Sequence, residues 1–232
     1  MILLKLIIAH LIGDFFLQSR KSIDDKEKKT WKSHYLFFHV LIHFILILIL
    51  LWDISYWPVA ILIAATHYLI DGIKLTFQTE RTRQVWFWVD QAAHFTVLIA
   101  VWVVFWNGFS TPDLSEEFWI LLIGILILTH PTSIAMQMLM QRWSEQIEME
   151  NSGSLEGAGK YIGILERLFV YLSIISGNPQ AVGFLLAAKS VFRFGDLTRA
   201  KDRKLTEYIL IGTLLSFLIA IVAGVLTVRF LM

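Results

Sequence analysis

The chain has 232 residues, a formal net charge of +1, no cysteine and a hydrophobic share of 56%, with a mean hydropathy of +0.65. That balance carries no basic nucleic-acid footprint, and the missing cysteine excludes disulfides, thiolate metal sites and cysteine nucleophiles. The apolar residues come in long blocks and not in alternation, which excludes a soluble core packed on a sheet. The expectation is an all-α, polytopic transmembrane helix bundle of about seven or eight segments.

The first block, 2–18, has no basic leader region and no small-residue cleavage site, and it contains Asp14, so it reads as a retained helix and not a signal peptide. A basic loop follows over 19–33. The second span, 35–52, holds only His39 and His43 as polar residues between Leu36 and Leu51. The third and fourth are 57–77 and 85–106, separated by a loop with Arg81 and Arg83. The fifth, 117–140, carries no charge from Phe118 to Met140. A polar loop, 144–159, divides an N-terminal membrane unit (1–143) from a C-terminal one (160–232). Asn178-Pro179 separates segments 160–177 and 179–195, because proline lacks the backbone donor and restricts the residue before it. This pair either crosses the bilayer or re-enters it as a hairpin buried in protein. The last span is 205–231.

Loop charge orients the segments. Lys and Arg fill 19–33, 78–84, the flanks of 144–159 and the segment before 205, whereas 53–56, 107–116 and the turn at Gly177 have none. By the excess of basic residues in cytoplasmic loops, both termini lie outside and the basic loops lie in the cytoplasm. Most of the tryptophans fall at segment ends, as an interfacial belt requires.

Four patterns carry chemistry: His10-x-x-x-Asp14-x-x-x-Gln18, His39-x-x-x-His43, His67-x-x-x-Asp71 and Asp90-Gln91-x-x-His94. Residues four apart share a helix face. With the orientation above, all three His–Asp pairs place the carboxylate nearer the cytoplasm and the imidazole deeper. This predicts a carboxylate layer and an imidazole layer, about 5–12 Å below the cytoplasmic surface at 1.5 Å per residue. Imidazole nitrogen and carboxylate oxygen suit zinc, manganese and related divalent ions, and helix bundles build such sites from residues one turn apart. The set His10, Asp14, His67, Asp71, Asp90 and His94, with His39 and His43 as further donors, suffices for one ion or for two sharing a carboxylate. Gln18 and Gln91 are placed to hydrogen-bond the ligands. The same residues could instead be hydrogen-bonded packing pairs, or stations on a proton or cation pathway.

In the C-terminal unit, Glu166-Arg167 lies in an apolar segment, and Lys189 and Arg193 are four apart in the next. Glu166 can neutralise Arg167 or Lys189. Arg167, Lys189 and Arg193 can also form a cationic shelf for an anionic headgroup, although snorkelling to the interface accounts for the last two.

These motifs resemble those of an uncharacterised bacterial family of polytopic inner-membrane proteins. The resemblance rests on His10-x-x-Gly13-Asp14-x-x-x-Gln18, His67-Tyr68-x-x-Asp71 and Asp90-Gln91-x-x-His94, and extends through Gly163-x-Leu165-Glu166-Arg167, Gly183 to Ser190 and Glu207-Tyr208. It implies a multi-pass protein of the bacterial inner membrane and no assigned activity. The pattern is also similar in kind to membrane proteins regarded as metal-dependent hydrolases. The leading expectation is a metal-dependent hydrolase at the cytoplasmic leaflet acting on a lipid phosphoester. The alternatives are a divalent-cation or proton transporter, and a non-catalytic membrane partner or sensor. Its surroundings are then a lipid bilayer, with no nucleic-acid partner, and an oligomer is compatible with the sequence.

Overall fold

The computed structural model describes residues 1–105, 114–145, 157–197 and 203–232, with side chains described except at 192–197 and 203. These residues are all-α and contain no strand. The helices are α1 (Ile2–Phe15), α2 (Arg20–Lys29), α3 (His34–Leu51), α4 (Trp57–Phe77), α5 (Arg83–Phe105), α6 (Glu116–Leu128), α7 (His130–Ser144), α8 (Ala158–Ile175), α9 (Gln180–Leu197) and α10 (Arg203–Leu231). Among the described residues, five helical stretches are long and apolar enough to cross a membrane: His34–Leu51, Ile54–Phe77, Glu80–Phe105, Glu116–Ser144 and Lys204–Leu231. Large apolar side chains such as Phe37, Ile49, Leu69, Val103 and Phe230 are exposed, while Lys26, Asp71, Asp90, Arg167 and the imidazoles of His10, His39, His43, His67 and His94 are buried. That distribution is the reverse of a soluble protein's and matches a lipid-facing exterior.

The first expected span is shorter than its sequence suggests. Helix α1 stops at Phe15, where the Phe16 and Leu17 amides both donate to the Ile12 carbonyl, each at 3.1 Å. Its 14 residues reach only about 21 Å, against a hydrocarbon core of about 30 Å. The expected loop 19–33 is largely helical. Ser19 caps α2 by accepting the Ser22 amide at 3.2 Å, and the α1–α2 pair is bent by 85°. The fifth span is also interrupted. Pro131 cannot donate to the Ile127 carbonyl, and the Thr132 hydroxyl donates to it instead at 2.6 Å. Residue 106 and most of 144–159 lie outside the described residues.

The chain divides into two compact units, Met1–Trp119 and Ile120–Met232, with the division inside α6. The reason is packing: Leu128 at the end of α6 joins Val170, Tyr171, Phe217 and Ala220 in the second unit's core. In the first unit α1, α3, α4 and α5 form a ring, each packed on its two neighbours. One end of the ring is filled by Leu6, Ala9, Ile47, Leu51, Tyr56, Val59, Ala60, Ile63, Leu98 and Val101. In the second unit α8 packs most extensively on α10, and α7 and α9 flank this pair. Helices α8 and α9 match the expected pair around Asn178-Pro179, though neither is among the five long apolar stretches.

Candidate metal centre

The inward faces of α1, α3, α4 and α5 bring all four sequence patterns to one place. Asp14 is the hub. Its Oδ1 lies 3.0 Å from His43 Nε2, 3.2 Å from His39 Nε2 and 3.4 Å from His67 Nε2, and its Oδ2 lies 3.7 Å from His10 Nε2. Asp71 lies 3.7 Å from both His39 and His94 and 3.8 Å from His67. His94 Nδ1 is 3.8 Å from Asp90. The His67 ring centroid is 4.0 Å from those of His43 and His94. The expected separation into carboxylate and imidazole layers does not survive at the side-chain tips, because Asp14 reaches in among three imidazoles.

The approach of α3 to α1 depends on Gly13. A Cβ there would overlap the His43 ring, so the smallest residue lets His43 reach Asp14 from across the interface. Gln91 donates to Asp14 Oδ2 at 3.1 Å and to Asp90 Oδ2 at 3.2 Å, and its carbonyl lies 3.3 Å from His10 Nε2. Gln18 donates to His39 Nε2 at 3.1 Å. Both glutamines thus hold the cluster's side chains, as their positions beside the motifs suggest.

Two lysines complete the cluster. Lys74 Nζ donates to Asp90 Oδ2 at 2.9 Å. Lys26, buried on α2, donates to the Gln18 carbonyl at 2.9 Å and lies 3.6 Å from Asp71. Helix α2 therefore lies across the carboxylate end of the ring, and its outer side is tied down. Glu27 accepts from Arg83 at 2.7 Å, and Trp31 fits into a notch at Gly72 while donating to Thr76 at 2.9 Å. Lys74 was not singled out in the sequence, although its place three residues after Asp71, on the same helix face, is a signal that could have found it. Lys26 had no such signal in a segment that reads as a charged loop.

Seven of the eight ligand-type side chains are buried, and Asp14 is nearly so at 8% side-chain exposure. Not every polar atom is satisfied. Among the described residues, both ring nitrogens of His94, His39 Nδ1 and Asp90 Oδ1 are buried without a hydrogen-bond partner. Three overlapping groups have ligand atoms close enough to share an ion: His10/Asp14/His43/His67, His39/His67/Asp71 and Asp14/Asp90/His94.

The residues expected to form a cationic shelf are arranged differently. Arg167 is buried, and its guanidinium donates to the Leu128 carbonyl (2.7 Å), the Thr129 carbonyl (3.3 Å), Ser133 (2.7 Å) and Ser216 (3.2 Å). It satisfies the Leu128 carbonyl at the α6–α7 break and shares the Thr129 carbonyl with Ser133, so its donors are engaged within the protein. Lys189 donates to Glu166 at 2.6 Å, the neutralising pair expected across the hairpin. Arg193's side chain lies outside the described residues.

Comparison with known proteins completes the picture. The chain belongs to the family described as "Protein of unknown function (DUF3307)", whose model matches residues 2–123. The match takes in every residue of the His/Asp cluster and ends before the motifs at Gly163 and beyond. No curated protein and no solved structure matches the chain.

Proposed function

We propose that this member of a family without an assigned activity is a membrane-embedded, metal-dependent hydrolase of the bacterial inner membrane. The His/Asp cluster is its metal centre, zinc or manganese its cofactor, and a lipid phosphoester at the cytoplasmic leaflet its substrate. The observation that carries this reading is the convergence of five imidazoles and three carboxylates from four helices, with His94 left without a hydrogen bond to either ring nitrogen. An aspartate inside a bilayer costs about 2.5–3.5 kcal/mol on insertion scales, and each unsatisfied buried polar atom adds about 1–3 kcal/mol. Coordination to a divalent cation offsets both. An ion bound there with an open position would supply a water with a pKa of about 7, a hydroxide source at neutral pH.

Two further observations support a chemical site over a conduction pathway. The end of the ring away from the carboxylates is closed by the Leu6–Val101 apolar cluster, where the cavity beside Ile2 and Tyr56 measures only ≈ 10 Å³. The polar end is the basic one, covered by α2 and bordered by Lys74 and Arg83, and basic segments favour the cytoplasmic face. Both termini then lie outside. The test is hydrolysis of a headgroup-labelled phospholipid in mixed micelles with added zinc or manganese. Metal-dependent release that is abolished in Asp14→Asn and His67→Ala supports the reading. Absence of release with either metal, or release unchanged in both variants, refutes it.

A further inference from the structure

The three candidate ligand groups are not equivalent, and the difference lies in the lysines. Asp90, in the Asp14/Asp90/His94 group, is engaged by the Lys74 ammonium at 2.9 Å. Asp71, in the His39/His67/Asp71 group, has the Lys26 ammonium at 3.6 Å. Neither lysine makes an ion pair with Asp14 among the described residues. An ion entering either of the first two groups must compete with a resident ammonium for the carboxylate, and would then lie close to that charge in a low-dielectric interior. An ion among His10, Asp14, His43 and His67 meets no such competitor.

The geometry agrees. Bonds of 2.0–2.1 Å to a tetrahedral ion set its donors about 3.3–3.4 Å apart. His43 and His67 stand 3.0 and 3.4 Å from Asp14 Oδ1, and His10 stands 3.7 Å from the other oxygen of that carboxylate; His39, at 3.2 Å from Oδ1, is held by Gln18 and falls in the Asp71 group. Charge points the same way. Three aspartates against two lysines leave one net negative charge, with the imidazoles neutral. One divalent ion turns that into a single positive charge, which a hydroxide or the monoanionic phosphate of a diester would balance. Two ions would leave three uncompensated positive charges buried together.

We infer that the cluster holds one divalent ion and not two, ligated by His10, Asp14, His43 and His67, while Lys26 and Lys74 are fixed internal cations that occupy the places a second ion would need. This rests on the metal-centre reading above and specifies it. With four protein donors the ion opens to a substrate only by taking a fifth ligand. Charge balance makes that ligand a monoanion, so a phosphodiester suits it better than a dianionic phosphomonoester.

Zinc titration and X-ray absorption on the wild-type protein in detergent test this without relying on any variant to fold. The expected result is one zinc per chain at saturation, with outer-shell scattering from three imidazoles. Two zinc ions per chain overturn the inference and leave the metal centre standing. One zinc with two imidazoles, or with one, also overturns it, because those counts belong to the Asp71 and Asp90 groups respectively. No bound zinc overturns both the inference and the metal-centre reading.

Discussion

Replacing Gly13 by Ala tests the packing that assembles the cluster. An added Cβ would lie 2.9 Å from His43 Nδ1 and closer still to two other ring atoms. Carbon contacts relax near 3.5–4.0 Å, so the ring must retreat by about 1 Å. The 3.0 Å contact from His43 Nε2 to Asp14 is then lost. A hydrogen bond to a charged group contributes about 1.5–3 kcal/mol and overpacking costs about 1–3 kcal/mol, while Gly→Ala in a helix interior returns about 1 kcal/mol. The net expectation is about 1.5–5 kcal/mol of destabilisation. Gly183→Ala, in α9 with open space around its Cβ, is the control and should be neutral or slightly stabilising. Thermal melts in detergent followed by circular dichroism measure both, and zinc titration of Gly13→Ala should show affinity at least ~10-fold weaker. A Gly13→Ala protein as stable as Gly183→Ala, with unchanged zinc affinity, would refute the argument.

Other consequences can be checked alongside. Arg167→Met removes four charge-assisted hydrogen bonds and strands the buried Leu128 carbonyl, so thermal melts should show a loss of about 3–5 kcal/mol. Lys74→Met leaves Asp90 buried without its ammonium and should cost a similar amount, whereas the double variant Lys74→Met/Asp90→Asn should recover most of it, read as the coupling energy of a double-mutant cycle. The native chain has no cysteine, so single-cysteine labelling is clean. An impermeant maleimide applied to intact cells should label Ser55→Cys and spare Thr79→Cys, and the opposite pattern would reverse the proposed orientation.

Much of this architecture is written in the chain, and the parts that are not have physical reasons. The uninterrupted apolar runs at 34–51 and 57–77 announce their helices, and one-turn spacing alone places His67 with Asp71 on one face. Combining that spacing with loop charge anticipates that Asp14, Asp71 and Asp90 lie toward the same end. The sequence does not announce the end of α1 at Phe15, since Phe16 and Leu17 are not helix breakers. Gln18, just past that end, is held by His39 and Lys26 through contacts made only in the folded ring. Helix α2 lacks an apolar stripe, because the residues it buries are Ser22 and Lys26, so periodicity cannot find it. Arg167 reads as a headgroup ligand because its partners, the Leu128 and Thr129 carbonyls and Ser133 and Ser216, come from other helices and from a helix break far away in sequence. His39 and His43 look weaker than the His–Asp pairs for lack of a carboxylate on their own helix, yet both reach Asp14 from across the bundle.

The most direct test of the metal centre is the metal content of protein purified in detergent without chelator, determined by inductively coupled plasma mass spectrometry. The account predicts close to one zinc or manganese per chain in the wild type and a loss of nearly all of it in a folded Asp14→Asn variant. A folded wild-type protein with no bound metal, or an Asp14→Asn protein that retains the full amount, would contradict it.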